Sequence, residues 1–238
     1  MTIQSLKLTN FRNITSAEIF PSAGVNLLVG ENASGKTSIL EAIYLLSMVR
    51  SFRSKKTKNL INHTADQFTV FANLNAGEAN TYSLGIQRHQ QAADTDILFR
   101  GQKPSGVAEL TAALPVQLIN PDAFRLLEGS PKDRRQFLDW GVFHVEPTFM
   151  HCWKRFQRAL KQRNSLLRHG RIDELELQLW EKELAVNGEQ ITTLRQAYLA
   201  SLKPIFDNLL DRFLGLQNFT LNFQRGWDKN VDLTQSLF

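Results

Sequence analysis

Hydrophobic positions along the chain change their period several times. Over residues 1–29 they come in strand-like groups: Ile3, Leu6 and Leu8 precede a polar corner at Thr9-Asn10, and Glu18-Ile19-Phe20 follows. A turn over 21–24 then leads into the continuous apolar run 25–29 (VNLLV), which predicts a buried strand. Gly30 to Gly35 interrupts the pattern, and Ile39, Leu40, Ile43 and Leu46 resume it at helical spacing, predicting a helix over Lys36–Met48. Three segments, 68–74, 82–88 and 97–100, are strand-like and separated by polar turns such as Asn75-Ala76-Gly77, which reads as an antiparallel meander. Residues 115–119 (PVQLI) predict one more strand, and Pro121-Asp122 and Ser130-Pro131 two helix starts, because proline suits a first helical turn.

From Pro147 onward the texture is that of long helices. Phe149, Trp153, Phe156, Leu160 and Leu167 fall on one side of the first, and Lys154, Arg158 and Lys161 on another. The second opens with Asp173 and Glu176 at capping-box spacing and carries Leu177, Leu184, Ile191 and Tyr198 every seven residues, interleaved with Trp180, Asn187 and Leu194. With Gly170 at the turn, the two predict an antiparallel hairpin. Pro204 is expected to interrupt the pattern, a further helix to run over 205–214 and end at Gly215, and 219–223 to form a strand.

Composition narrows the class. A chain of 238 residues, 42% hydrophobic, can bury a substantial core in one large or two modest domains. Its single cysteine, Cys152, forms no internal disulfide, and neither it nor the five histidines have a metal-ligand spacing. Neither a signal-like N-terminus nor a long uncharged apolar stretch is present, so a soluble cytoplasmic protein without a membrane partner is expected. The net charge of +5 is unevenly spread. Residues 50–58 and 154–171 hold 12 of the 28 basic residues and no acid; the other 16, against 23 acidic residues, leave the rest of the chain at −7. Such clusters mark a phosphate-backbone binder or, equally, a solvated helix face with a basic loop. Arg50, Arg53, Lys55, Lys56, Lys154, Arg158 and Lys161 are the candidate DNA contacts.

Gly30-Glu31-Asn32-Ala33-Ser34-Gly35-Lys36-Thr37 fits G-x-x-x-x-G-K-[ST] between a predicted strand and a predicted helix. The glycines let the backbone wrap around phosphates with its N–H groups inward, and the helix, with Ser38 in its first turn, adds its positive end. Lys36 is expected on the β/γ-phosphates, and the Thr37 hydroxyl on Mg²⁺. A nucleotide with Mg²⁺ is thus the expected ligand. Kinases, GTPases, transporters and repair ATPases share this loop, so the loop alone names no function.

The flanking residues narrow the choice. Thr9-Asn10-Phe11-Arg12-Asn13 together with the run from Val25 into the loop resembles the N-terminal ATPase head of SMC-like ABC proteins. Leu40-Glu41-Ala42-Ile43-Tyr44, Ser51-Phe52-Arg53-Ser54, the segment 129–140, Lys161-Gln162-Arg163-Asn164 and Phe223-Gln224-Arg225-Gly226-Trp227 resemble the RecF family of recombination mediators, in order and over nearly the whole chain. The resemblance implies an α/β fold: a P-loop ABC-type head with a mixed sheet and an antiparallel β subdomain, plus a helical hairpin lobe. By domains, it implies the N-terminal part of the head over 1–146, the lobe over 147–214 and a strand over 215–238 returning to a C-terminal part of the head that this chain lacks. It further implies an ATP-binding DNA repair and replication protein that binds single-stranded or gapped DNA. When complete, such a protein dimerises around ATP, hydrolyses it slowly, and supports recombinational repair and the SOS response with RecO- and RecR-type partners. By the same similarity Arg12 and Asn13 lie near the phosphates and Gln117 is a Q-loop ligand. No L-S-x-G-Q signature and no Walker B strand is found: Leu118 to Asp122 puts Asn120 and Pro121 at the strand end, and Phe137 to Trp140 is helical in pattern. Nucleotide binding with almost no turnover is therefore expected of this chain, and no catalytic residue is assigned. The alternative is a P-loop kinase or nucleotidase acting on a small molecule, or a module whose hairpin docks a partner.

Overall fold

The computed structural model describes residues 2–75, 77, 80–92, 94–168, 173–215, 220–228, 231 and 233, the side chain of Asp122 excepted. The chain forms two compact units, Met1–Ile119 and Asn120–Phe238.

In the first unit, β1 (Thr2–Phe11), β2 (Ile14–Ile19), β3 (Gln67–Asn75), β4 (Thr81–His89) and β5 (Asp96–Phe99) build one sheet in the order β2-β1-β3-β4-β5. Every pairing is antiparallel, so the predicted meander is present, extended by β1 and β2. Period-2 patterning explains the layer: Phe68, Val70, Ala72 and Leu74 of β3 point to one face and are fully buried, as are Leu6, Leu8, Leu84 and Ile86 beside them. Against that face pack Ala42, Leu45 and Leu46 of α1 (Lys36–Met48) and Leu110 of α2 (Val107–Ala113).

Four expectations for this unit fail. The corner lies at Arg12-Asn13 rather than Thr9-Asn10, because Phe11 continues β1, pairs with Ile14 and packs edge-on against Phe68 at 5.3 Å. Residues 25–29 are not a strand, and Val25, Leu27 and Val29 are 97%, 84% and 81% exposed. Asn26 explains part of this: its side-chain oxygen accepts from the Ser22 N–H, and its amide donates to the Ser22 and Gly24 carbonyls, closing a tight turn instead of a ladder. Residues 115–119 are likewise outside any strand, with Ile119 86% exposed. The mixed sheet that the resemblance implies is, among the described residues, wholly antiparallel.

The second unit is helical. A 3₁₀ turn at Pro121–Phe124 leads into α3 (Arg125–Glu128), then α4 (Pro131–Val145), α5 (Phe149–Leu166) and α6 (Glu174–Leu214). Both predicted proline starts are present, and at the second the Asp133 carboxylate accepts from the Ser130 N–H and hydroxyl. Val142, Phe149, Cys152 and Ile191 form the core that joins α4, α5 and α6. In α5 and α6 residue numbers run in opposite senses across the contact. Cys152 and Ile191 share that core, a Cβ on Gly188 would lie 3.2 Å from Phe156, and Arg163 pairs with Glu181, so the helices are antiparallel.

Asp173 caps α6 alone, accepting from the Leu175 and Glu176 N–H groups, while Glu176 accepts from the Trp180 indole. The helix also passes through Pro204 for 41 residues, against the expected interruption. Proline removes one hydrogen bond, to Ala200, and weakens a helix without ending it when both flanks are helix formers. The predicted turn glycine, Gly170, and Phe219 lie outside the described residues; 220–223 are not in a strand.

Candidate nucleotide site

The loop between residue 29 and α1 follows from its glycines. Gly30 and Gly35 have φ of 153° and 100°, conformations open to residues without a Cβ, and a Cβ on Gly35 would lie 3.2 Å from Ile14 of β2. Gly35 is also the N-cap of α1, and no side chain caps it. Because the first intrahelical bond is donated by Ile39 to the Gly35 carbonyl, the N–H groups of Lys36, Thr37 and Ser38 have no partner within the helix. The Lys36 ammonium turns back onto the loop, donating to the carbonyls of Gly30 at 2.7 Å and Glu31 at 2.6 Å, with the Ser34 hydroxyl at 3.4 Å. A cation held by acceptor oxygens at a helix start free of side-chain caps is a donor set that fits a polyphosphate.

The β1–β2 corner docks directly on this loop. Asn13 donates to the Ala33 carbonyl at 2.6 Å and accepts from the Ser38 hydroxyl at 2.8 Å. Arg12 makes a two-pronged contact with the Glu41 carboxylate, Nε to Oε2 at 2.9 Å and Nη2 to Oε1 at 2.7 Å, while its Nη1 donates to the Asn59 carbonyl at 2.9 Å. Glu41 is fully buried and also receives the Ser51 hydroxyl and, at 3.5 Å, Arg53. Residues 57–62 reach the site because Arg12 and Asn62 bond across to Leu60 and Asn10.

Together these elements border an open cavity of about 510 Å³, lined by Arg12, Asn13, residues 32–38, Arg53, Asn59, Ile61 and His63. The structure therefore gathers Arg12 and Asn13 with Asn32, Ala33, Ser34, Gly35, Lys36, Thr37 and Ser38; Gly30 and Glu31 contribute the carbonyls that hold Lys36. Gln117 is exposed and does not line the cavity; its amide meets only the neighbouring Leu118 carbonyl, at 3.5 Å. Asn59 and His63 belong to no motif in the sequence, and Glu41 falls in the family-like block 40–44 without an assigned role. For Glu41 a signal exists: a carboxylate on the face of α1 that carries Ser38, Ala42 and Leu45 inward.

Of the basic candidates, Arg50, Arg53, Lys55 and Lys56 are exposed in the first unit, Arg50 donating to the Tyr44 hydroxyl at 3.2 Å. In the second, Lys154, Arg158 and Lys161 form an exposed row on α5, and the Arg158 guanidinium lies 5.6 Å from the Trp180 ring centre. Asp139, the acid in the helical run 137–140, is bound by both prongs of Arg195. Among the described residues no group of three or more His, Cys, Asp or Glu comes together, and no helix is long and apolar enough to cross a membrane.

The chain is 46% identical over its whole length to the DNA replication and repair protein RecF of Pseudomonas entomophila, and equally to those of Pseudomonas putida and Pseudomonas syringae pv. tomato. It spans 64% of the length of these relatives, resembling their N-terminal portion. Among solved structures, the recombination mediator RecF with ATP, of the RecFOR pathway, superposes with a TM-score of 0.81 at 25% identity, covering 99% of this chain and 66% of that one. The RecF-ATPrS structure gives 0.74 at 26% identity, over 90% and 58% of the two chains. The RecF/RecN/SMC N terminal domain profile matches residues 2–211, and the chain belongs to that family.

Proposed function

We propose that this chain is the nucleotide-binding part of a RecF-type recombination mediator, binding ATP with Mg²⁺ in the cradle of residues 30–38. The observation that carries the reading is the convergence of an uncapped α1 start, the Lys36 ammonium and the Arg12-Asn13 corner on one cavity. Lys36 would exchange its loop carbonyls for phosphate oxygens, and the N–H groups at the start of α1 would hold the same anion. Thr37, exposed at the second position of α1, offers the hydroxyl for Mg²⁺, which when bound would neutralise phosphate charge. Arg12 supplies a fixed cation at the rim.

The solved RecF complexes with ATP and ATPrS, which share the fold, support the choice of nucleotide. In the complete protein we assign DNA, single-stranded or gapped, to Arg50, Arg53, Lys55, Lys56, Lys154, Arg158 and Lys161, with an ATP-dependent homodimer and RecO- and RecR-type partners. The relatives are DNA replication and repair proteins, and exposed arginine and lysine clusters suit phosphate backbones.

The test is ATP binding and turnover by the 238-residue chain, with and without DNA, beside Lys36→Ala. Binding that falls about tenfold to a hundredfold in Lys36→Ala is expected, the worth of charge-assisted contacts to phosphate, with turnover near background. Equal binding by both proteins sinks the assignment of the cradle. Transfer of phosphate to a small acceptor without DNA favours a kinase instead.

A further inference from the structure

We infer that the buried Glu41 carboxylate is a positioning residue for nucleotide binding: it fixes the Arg12 guanidinium at the rim of the phosphate cradle. The inference rests on the proposed nucleotide site and adds to it a residue that touches no ligand.

A fully buried carboxylate is costly unless its lone pairs are filled, and Glu41 has no exposure. Three side chains fill them: Arg12 from the β1–β2 corner, with Ser51 and Arg53 from the segment after α1. The Arg12 contact is the two-pronged, planar arrangement that fixes orientation as well as charge. Its third bond, to the Asn59 carbonyl, removes the remaining rotation. Arg12 thereby uses three of its five N–H groups to hold itself in place. The other two remain on a side chain that is 20% exposed and lines the cavity. Arg53 differs: at 3.5 Å and 47% exposed it is a loose partner of the same carboxylate.

This arrangement makes a prediction opposite in sign to simple electrostatics. Glu41→Gln deletes a negative charge beside an anion site, which by Coulomb attraction alone strengthens ATP binding. Loss of positioning weakens it, because an arginine no longer clamped must be ordered by the ligand itself.

The experiment is ATP·Mg²⁺ binding by calorimetry to the full 238-residue chain and to Glu41→Gln, Arg12→Ala, the double variant, Arg12→Lys and Lys36→Ala, each checked for folding by circular dichroism and urea unfolding. Expected is a loss of about tenfold in Glu41→Gln, and in the double variant no more loss than in Arg12→Ala, because the two side chains act as one unit. Binding by folded Glu41→Gln as tight as the parent or tighter, or losses that add in the double variant, overturns the inference. Should Glu41→Gln not fold, Arg12→Lys decides: it keeps the charge and cannot reproduce the fork, so about a tenfold loss supports positioning and unchanged binding overturns it. Lys36→Ala separates the nucleotide site from the positioning role. If it binds ATP normally the nucleotide site itself is wrong, whereas if it fails while Glu41→Gln binds normally only the positioning role falls.

Discussion

Strand β3 and residues 25–29 are both short runs rich in β-branched and aliphatic side chains, yet they end in opposite environments. Along β3 every second residue is fully buried, with β1 on one side and β4 on the other. Along 25–29 Val25, Leu27 and Val29 face solvent, and among the described residues no strand pairs with the segment. The difference teaches that a strand is made by its neighbours: β-propensity supplies a surface that can be half-buried, and only adjacent strands bury it.

Amide exchange offers the widest separation between the two. The Val70 and Ala72 amides should be protected by about a thousandfold or more relative to those of Leu27 and Leu28, approaching the stability of the whole unit. Comparable protection at both would mean that 25–29 is paired after all. Side-chain truncation should repeat the contrast in energy. Phe68→Ala, at a fully buried ring, should cost about 3–5 kcal/mol in urea unfolding, while Leu27→Ala should stay within about 0.5 kcal/mol. A cost above that for Leu27→Ala would break the comparison.

A third variant asks whether the phosphate cradle leans on 25–29 or on the sheet. Gly35→Ala places a Cβ against Ile14 at a φ of 100° and should weaken ATP binding about tenfold, the equivalent of about 1.4 kcal/mol, with Leu27→Ala unchanged. The reverse pattern would put the support on the run before the loop. Acid provides the smallest effect and a control. Neither β3 nor 25–29 contains an ionisable side chain, so their contrast should be flat between pH 7.5 and 5.5. The helical unit should respond. Burial holds His144 below its ordinary pKa, so its unfolded form binds the proton more readily. Its contribution is complete above the unfolded value and is lost as pH falls through the lower folded one; His144→Phe should flatten that slope.

Much of this molecule was readable in advance where local chemistry and tertiary pairing agree. The meander, α1, the proline starts of the helical unit and the heptad residues Leu184 and Ile191 follow from period and capping alone. The failures share one cause. Residues 25–29 and 115–119 have the composition of strands, and Pro204 that of a break, but pairing partners and the rest of a long helix decide those outcomes, and neither is encoded nearby. In the site, the loop 30–37 announces itself by spacing. Asn59 and His63 do not, because they arrive through a bridge between Phe11 and Ile61 that joins distant stretches of chain. Glu41 is legible as a charge on an inward helix face, although neither the period of α1 nor the block 40–44 assigns it a partner.

Pro204 turns α6 into a lever with a built-in joint. The helix extends for roughly 60 Å at 1.5 Å per residue, and the ten residues beyond the proline make an arm of about 15 Å. Each 20° of bend at the joint sweeps the end of that arm by about 5 Å, close to one helical pitch. Ile205, Leu209 and Phe213, exposed at four-residue intervals, ride along that arm as a single apolar edge. The stiffness with which this edge is held is therefore lowered by one missing hydrogen bond, which Pro204→Ala would restore beneath all three side chains.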